Sequence, residues 1–189
     1  MVLVGSPGRR GFTLIEIIFV LAMMGILFAI TIPRIRVSNN KRVRLAAQQM
    51  VRDLEVARTR AMATKQNARI VFNEVDNSYT GYLDDDRDGL FGLTKAESDA
   101  LRARGKVNLR GGVIFGRGSA SALPSDPGGG AVTLASNTVE FSARGVTEPF
   151  GSRGTIYLVH ASDPNAVSAV SITAAGSFQS WTFAGGTWQ

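Results

Sequence analysis

The feature that most constrains this chain is an almost unbroken apolar run, Phe12 to Ile32, that carries a carboxylate, Glu16, near its start. As a helix rising 1.5 Å per residue, a run of about 21 residues matches the roughly 30 Å of a bilayer's hydrocarbon core. A cleaved secretory signal would have a shorter apolar stretch, roughly 7–15 residues, followed by small residues at the cut. Here the run ends in "ITIPRIR" with no such site. No polar stripe interrupts it, so a helix buried in a soluble core fits poorly. The run predicts a membrane-spanning helix over 12–32. A charged side chain there costs about 2.5–3.5 kcal/mol even on lenient insertion scales. Glu16 therefore either snorkels to the nearby interface or has a partner that compensates for it.

Charge alone gives an awkward orientation. Arg9 and Arg10 precede the run, whereas Arg34, Arg36, Lys41, Arg42 and Arg44 follow it. Counting positive residues would place the C-terminal part inside. The overall charge of +6, from 21 Lys and Arg against 15 Asp and Glu, is modest and spread out, as expected of a basic soluble surface. The chain has no cysteine, which excludes disulfides, thiolate metal sites and cysteine nucleophiles.

The stretch "GFTLIE", Gly11 to Glu16, resembles the processing motif of type IV prepilins and type II secretion pseudopilins. A short basic leader, residues 1–11, ends in Gly11. Phe12 would be the new N-terminus, and Glu16 the fifth mature residue. The resemblance implies a membrane aspartyl peptidase cutting between Gly11 and Phe12, followed by methylation of the Phe12 amine. Gly11 lacks a Cβ, so its backbone can approach a peptidase site closely. The resemblance also implies that the leader faces the cytoplasm and the C-terminal domain the periplasm, against the charge count. It further implies that Glu16 pairs with the N-terminal amine of a neighbouring subunit during assembly, and that Pro33 kinks the helix. A proline there has no N–H to donate and crowds the preceding turn.

Beyond Pro33 the pattern becomes amphipathic over 33–65. Val43, Ala47, Met50, Leu54, Ala57 and Ala61 recur at alternating steps of four and three, which marks one helix face for packing on a sheet. Residues 66–189 read as a β-rich domain. "ARIVFN" and "SYTGYLD" flank a polar turn at Glu74–Asn77 and predict a hairpin. Further strands are expected in "GGVIFG", "AVTLAS", "TVEFSARG", "GTIYLVH" and "AVSAVSITAAGSFQSWTF". The Gly/Ser/Pro-rich stretch 116–130 reads as a mobile loop. The expected architecture is α+β: a long N-terminal helix packed on an antiparallel, sandwich-like β domain. The junction "VARTRAMATKQNARIVF", with "VEFSARG" and "VSITAAGSFQSW", resembles the GspH/FimT group of minor pilin-like proteins.

Three further features could carry chemistry. "DDDRDG" opens like a calcium loop, with Asp84, Asp86 and Asp88 as candidate oxygen ligands. The twelfth position, where such a loop needs a bidentate acid, is Lys95. Glu97 or Asp99 could substitute only in a differently shaped loop, so a solvated acidic turn is the simpler reading. Arg102, Arg104, Lys106 and Arg110 could form a phosphate-binding patch, but few aromatics interleave with them, and DNA is the minor reading. His160, the sole histidine, has no second histidine or cysteine to share a metal or triad. No nucleophile motif or phosphate-binding glycine loop is present, and neither an enzyme nor a cofactor or small-molecule substrate is expected.

The resemblance thus implies a minor pseudopilin of a type II secretion system, processed by the prepilin peptidase and methyltransferase. It would be held in the bacterial inner membrane as a single-pass protein and then assembled with other pseudopilins. The alternative is a type IV pilus minor pilin that primes pilus assembly, with DNA uptake a variant of that role.

Overall fold

The computed structural model describes residues 11–31, 38–91, 99–101, 105–126 and 128–189. The chain divides into two compact units, residues 1–37 and 38–189. The first contains helix α1, Leu14–Thr31. The second is an α+β domain in which one helix packs on antiparallel sheets. Pro33, the expected kink, lies outside the described residues.

Helix α2 spans Asn39–Thr64. It starts at Ser38, whose side-chain oxygen accepts a bond from Lys41 N–H at 3.4 Å, satisfying one of the free donors of the first turn. It ends at Lys65, in the left-handed conformation, whose N–H returns to Ala61 O. All six residues of the expected apolar face, Val43 to Ala61, are buried in the core. A seventh buried residue on that face, Asp53, is polar.

Ten strands follow. They are β1 (Ala68–Asn73), β2 (Ser78–Leu83), β3 (Lys106–Asn108), β4 (Val113–Phe115), β5 (Thr138–Phe141), β6 (Thr147–Glu148), β7 (Gly154–His160), β8 (Asp163–Ile172), β9 (Phe178–Ala184) and β10 (Thr187–Trp188). They form two five-stranded sheets, ordered β3-β2-β1-β5-β6 and β10-β9-β8-β7-β4. Strands β1 and β2 are the expected hairpin, pairing Ala68 with Leu83 through Asn73 with Ser78 around the turn at 74–77. One core joins Met50 and Leu54 of α2 to Ile70 and Phe141 of the first sheet and Ile156, Leu158 and Val170 of the second. The alternation of a strand explains how β7 serves two sides at once. Ile156 and Leu158 belong to the core shared with α2, while Tyr157 and Val159 belong to smaller clusters with Leu123 and Ala120.

Those clusters correct the expectation of a mobile loop at 116–130. Ala120 and Leu123 are buried. Leu123 N–H donates to the Tyr157 hydroxyl at 2.8 Å, and Trp188 Nε1 donates to Ser121 O at 3.0 Å. Its composition offers no period, yet Ala120 and Leu123 within it pack into the domain. "AVTLAS" also differs from expectation, since it forms a single bridge, Val132 to Ile156, instead of a strand. Thr133 Oγ1 accepts the Thr155 N–H at 2.8 Å, so a side chain takes a bond that a regular ladder would give to the backbone.

Candidate functional site

The candidate site is the N-terminal end of α1. Thr13 precedes the helix and caps it: Glu16 N–H donates to Thr13 O at 3.1 Å and to Thr13 Oγ1 at 3.3 Å. "TLIE" thus has the spacing of a capping box, with Thr at the cap and Glu three residues on. Glu16 is also the acidic residue of the first turn, where the positive end of the helix dipole favours a carboxylate. The capping role of Thr13 was missed in the sequence, although the T-x-x-E spacing signals it.

Around Glu16 the surface is apolar. Phe12 is 79% exposed, Leu14 78% and Ile15 76%. Ile17, Ile18 and Phe19 continue the exposed apolar surface. Among the described residues the Glu16 carboxylate, itself exposed, has no hydrogen-bond or ion-pair partner. An exposed carboxylate on an apolar helix is well placed to take a cation. At Gly11 a Cβ would meet nothing within 4 Å, so the backbone before Phe12 is open to approach. No helix among the described residues is long and apolar enough to cross a membrane. Of the residues in the expected span 12–32, helix α1 takes up 18, Leu14–Thr31, about 27 Å at 1.5 Å per residue.

Residues 6–32 match a family profile described as the prokaryotic N-terminal methylation motif. This chain carries that motif. The Gly11–Glu16 stretch singled out in the sequence lies inside the match. No curated relative matches the sequence. Among solved structures, the minor pseudopilin EpsH from the type 2 secretion system of Vibrio cholerae is 12% identical, with a TM-score of 0.49. That similarity covers 74% of this chain and 96% of EpsH. The type IV minor pilin FimU of Pseudomonas aeruginosa is 17% identical, with a TM-score of 0.46, over 72% of this chain and 86% of FimU.

The other candidates fall elsewhere. Arg102 and Arg104 lie outside the described residues. Lys106 Nζ is bonded to Asp76 Oδ2 at 2.8 Å, so that cation is already paired, while Arg110 is exposed. His160 is buried between two elements. Its Nδ1 accepts from Ser162 N–H at 3.3 Å, and its Nε2 lies 3.1 Å from Gly111 O. With Nδ1 accepting, Nε2 carries the proton and donates, so Nε2 ties β7 to the turn before β4 while Nδ1 is held within the turn between β7 and β8. Asp99 is likewise occupied. Its two oxygens accept from Leu101 N–H at 2.7 Å and Gly105 N–H at 2.6 Å. Asp84 is buried while Asp86 and Asp88 are exposed, and the three carboxylates come together.

Proposed function

We propose that the chain is a minor pilin-like subunit, made as a precursor, that assembles into the pseudopilus of a type II secretion system. In this reading the peptidase cuts between Gly11 and Phe12, and the freed Phe12 amine is methylated. The apolar helix then holds the subunit in the inner membrane, with its α+β domain in the periplasm, until assembly. The observation that carries the reading is the methylation motif at residues 6–32, with Glu16 exposed and unpartnered in its apolar helix. In hydrocarbon that carboxylate is unfavourable until a cation joins it, and the Phe12 amine of a neighbour is such a cation. Pairing also sets how far one helix is displaced along the next, because the two charges must meet.

Removing one partner of a buried pair costs about 3–5 kcal/mol, since the other charge is left uncompensated. Glu16→Ala and Glu16→Gln should therefore both reach the membrane and still be cut. Both should fail to co-purify with partner subunits from native membranes. Glu16→Gln keeps a side chain suited to the capping box, so its failure isolates the charge. Wild-type incorporation of both variants would remove Glu16 from the assembly mechanism. Deleting the gene separates the two assemblies: lost export of secreted proteins supports the secretion reading, whereas lost surface fibres with normal export supports the type IV pilus.

A further inference from the structure

Asp84 leaves the end of β2 with its N–H bonded to Asn67 O at 2.9 Å, and the residue is only 5% exposed. One carboxylate oxygen, Oδ2, accepts Gly89 N–H at 3.3 Å. The other, Oδ1, is buried and has no hydrogen-bond partner. An ionised oxygen removed from water without a donor or cation is strongly unfavourable. Asp84 takes part in no ion pair among the described residues. Instead, ligand atoms of two more carboxylates, Asp86 and Asp88, lie with one of its own within 4.8 Å of one another. The sequence favours a solvated acidic turn, but a buried carboxylate oxygen without a partner, on a residue whose carboxylate gathers with two others, does not fit one.

We propose that Asp84, Asp86 and Asp88 bind a calcium ion. The donors are all carboxylate oxygens, which suit a hard divalent cation, and their i, i+2, i+4 spacing matches the first half of a calcium loop. Gly89 follows at the sixth position with φ +75°, the sharp turn that such a loop needs and that a side chain resists. Asp86 Oδ1 accepts Asp88 N–H at 3.3 Å and Asp88 Oδ1 accepts Leu90 N–H at 2.7 Å, which hold the two exposed carboxylates on the same small turn. Three acidic side chains supply more negative charge than the ion carries, and waters complete its coordination. The ion gives Asp84 Oδ1 its missing partner and fastens the end of β2. This inference is independent of the assembly reading, since it concerns the folded domain alone.

The test uses the purified full-length protein in detergent, stripped with chelator. Equilibrium dialysis against radioactive calcium should show one ion bound per chain, in the range of about 0.1–1 mM typical of extracellular modules. About 5 mM calcium should raise the melting temperature by roughly 3–6 °C over the chelated protein, and magnesium by less. The double variant Asp86→Asn/Asp88→Asn changes exposed groups, so it should melt like wild type in chelator and lose both calcium binding and the rise. Asp84→Asn should melt higher than wild type in chelator, because it removes the buried charge, and should not respond to calcium. Absence of a calcium-dependent rise in the wild type, or an equal rise in the double variant, overturns the proposal.

Discussion

The Arg58 guanidinium donates from Nε to the carbonyl of Gly145 at 2.7 Å, binding α2 to the turn between β5 and β6. The turn between β8 and β9 closes on the same place. A Cβ at Gly176 would lie 2.6 Å from Gly145 O and 3.3 Å from Arg58 Nε. Three stretches that stood apart in the sequence, "VARTRAM", "VEFSARG" and "ITAAGSF", therefore meet around one arginine.

Loss of that arginine should be felt throughout the domain. Arg58→Ala removes a charge-assisted bond worth about 1.5–3 kcal/mol, and Arg58→Lys should recover little of it, because an ammonium cannot reproduce the planar donor geometry. Gly176→Ala should also destabilise, through the contact with Gly145 O and a φ of +74°. Gly129→Ala is the control, since its Cβ would meet nothing within 4 Å. Urea unfolding midpoints of the four proteins check this, and a Gly176→Ala midpoint equal to that of Gly129→Ala would contradict it.

A second prediction concerns Asp53. Its carboxylate accepts the Tyr79 hydroxyl at 2.6 Å and Gln49 Nε2 at 2.9 Å. Tyr79→Phe should cost about 1–3 kcal/mol by leaving a buried acceptor short of a donor. The double variant with Asp53→Ala should cost less than the sum of the two single changes. Strict additivity in a double-mutant cycle would show that the two residues do not act together.

Alkaline pH should weaken the fold from a definite point. Burial, reinforced by the 2.5 Å bond to Asp126, pushes the Tyr157 hydroxyl up to about 12. Tyr79 is raised as well, by burial first and then by Asp53. Above about pH 10 the unfolded chain releases phenol protons that the folded chain retains, so it binds fewer protons and stability falls as pH rises. Below that point these groups contribute no slope. Tyr157→Phe should flatten the decline by up to about 1.4 kcal/mol per pH unit. Unfolding midpoints at pH 8, 10 and 11 measure it, and an unchanged slope in Tyr157→Phe would refute the assignment.

Processing provides the fourth prediction. Protein from native membranes should have an intact mass beginning at Phe12 plus one methyl group. Gly11→Ala should leave partial cleavage, whereas a bulky residue there should abolish it, because close approach of the backbone is what the site needs. A mature mass that retains residues 1–11 in a strain with active peptidase would exclude this cut.

The parts legible in the sequence were those with a period or a turn signal. The steps of four and three from Val43 to Ala61 marked the buried face of α2, and Glu74–Asn77 marked the hairpin. Asp53 was hidden, since its position on that face became meaningful only once Tyr79 arrived from another element. Ala120 and Leu123 pack without any local pattern, so the sequence of residues 116–130 reads as a mobile loop. At the candidate site, Gly11, Phe12 and Glu16 stood out as a compact motif. The pairing of Lys106 with Asp76 depends on the meeting of β3 with the first hairpin, and the burial of Asp84 on a turn against the sheet. Neither relationship is local in sequence.

The contact between Asp53 and Tyr79 also bears on how α2 finds its seat. Ala47, Ala57 and Ala61 make much of its inner face smooth, and a smooth stripe can slide along a sheet with little loss of contact. A displacement of one turn, about 5.4 Å, would carry Asp53 away from the phenol and strand a carboxylate in the interior. The aliphatic contacts alone would scarcely resist that error. A polar residue amid small apolar ones thus rejects neighbouring alignments, so that helix and sheets meet in one register.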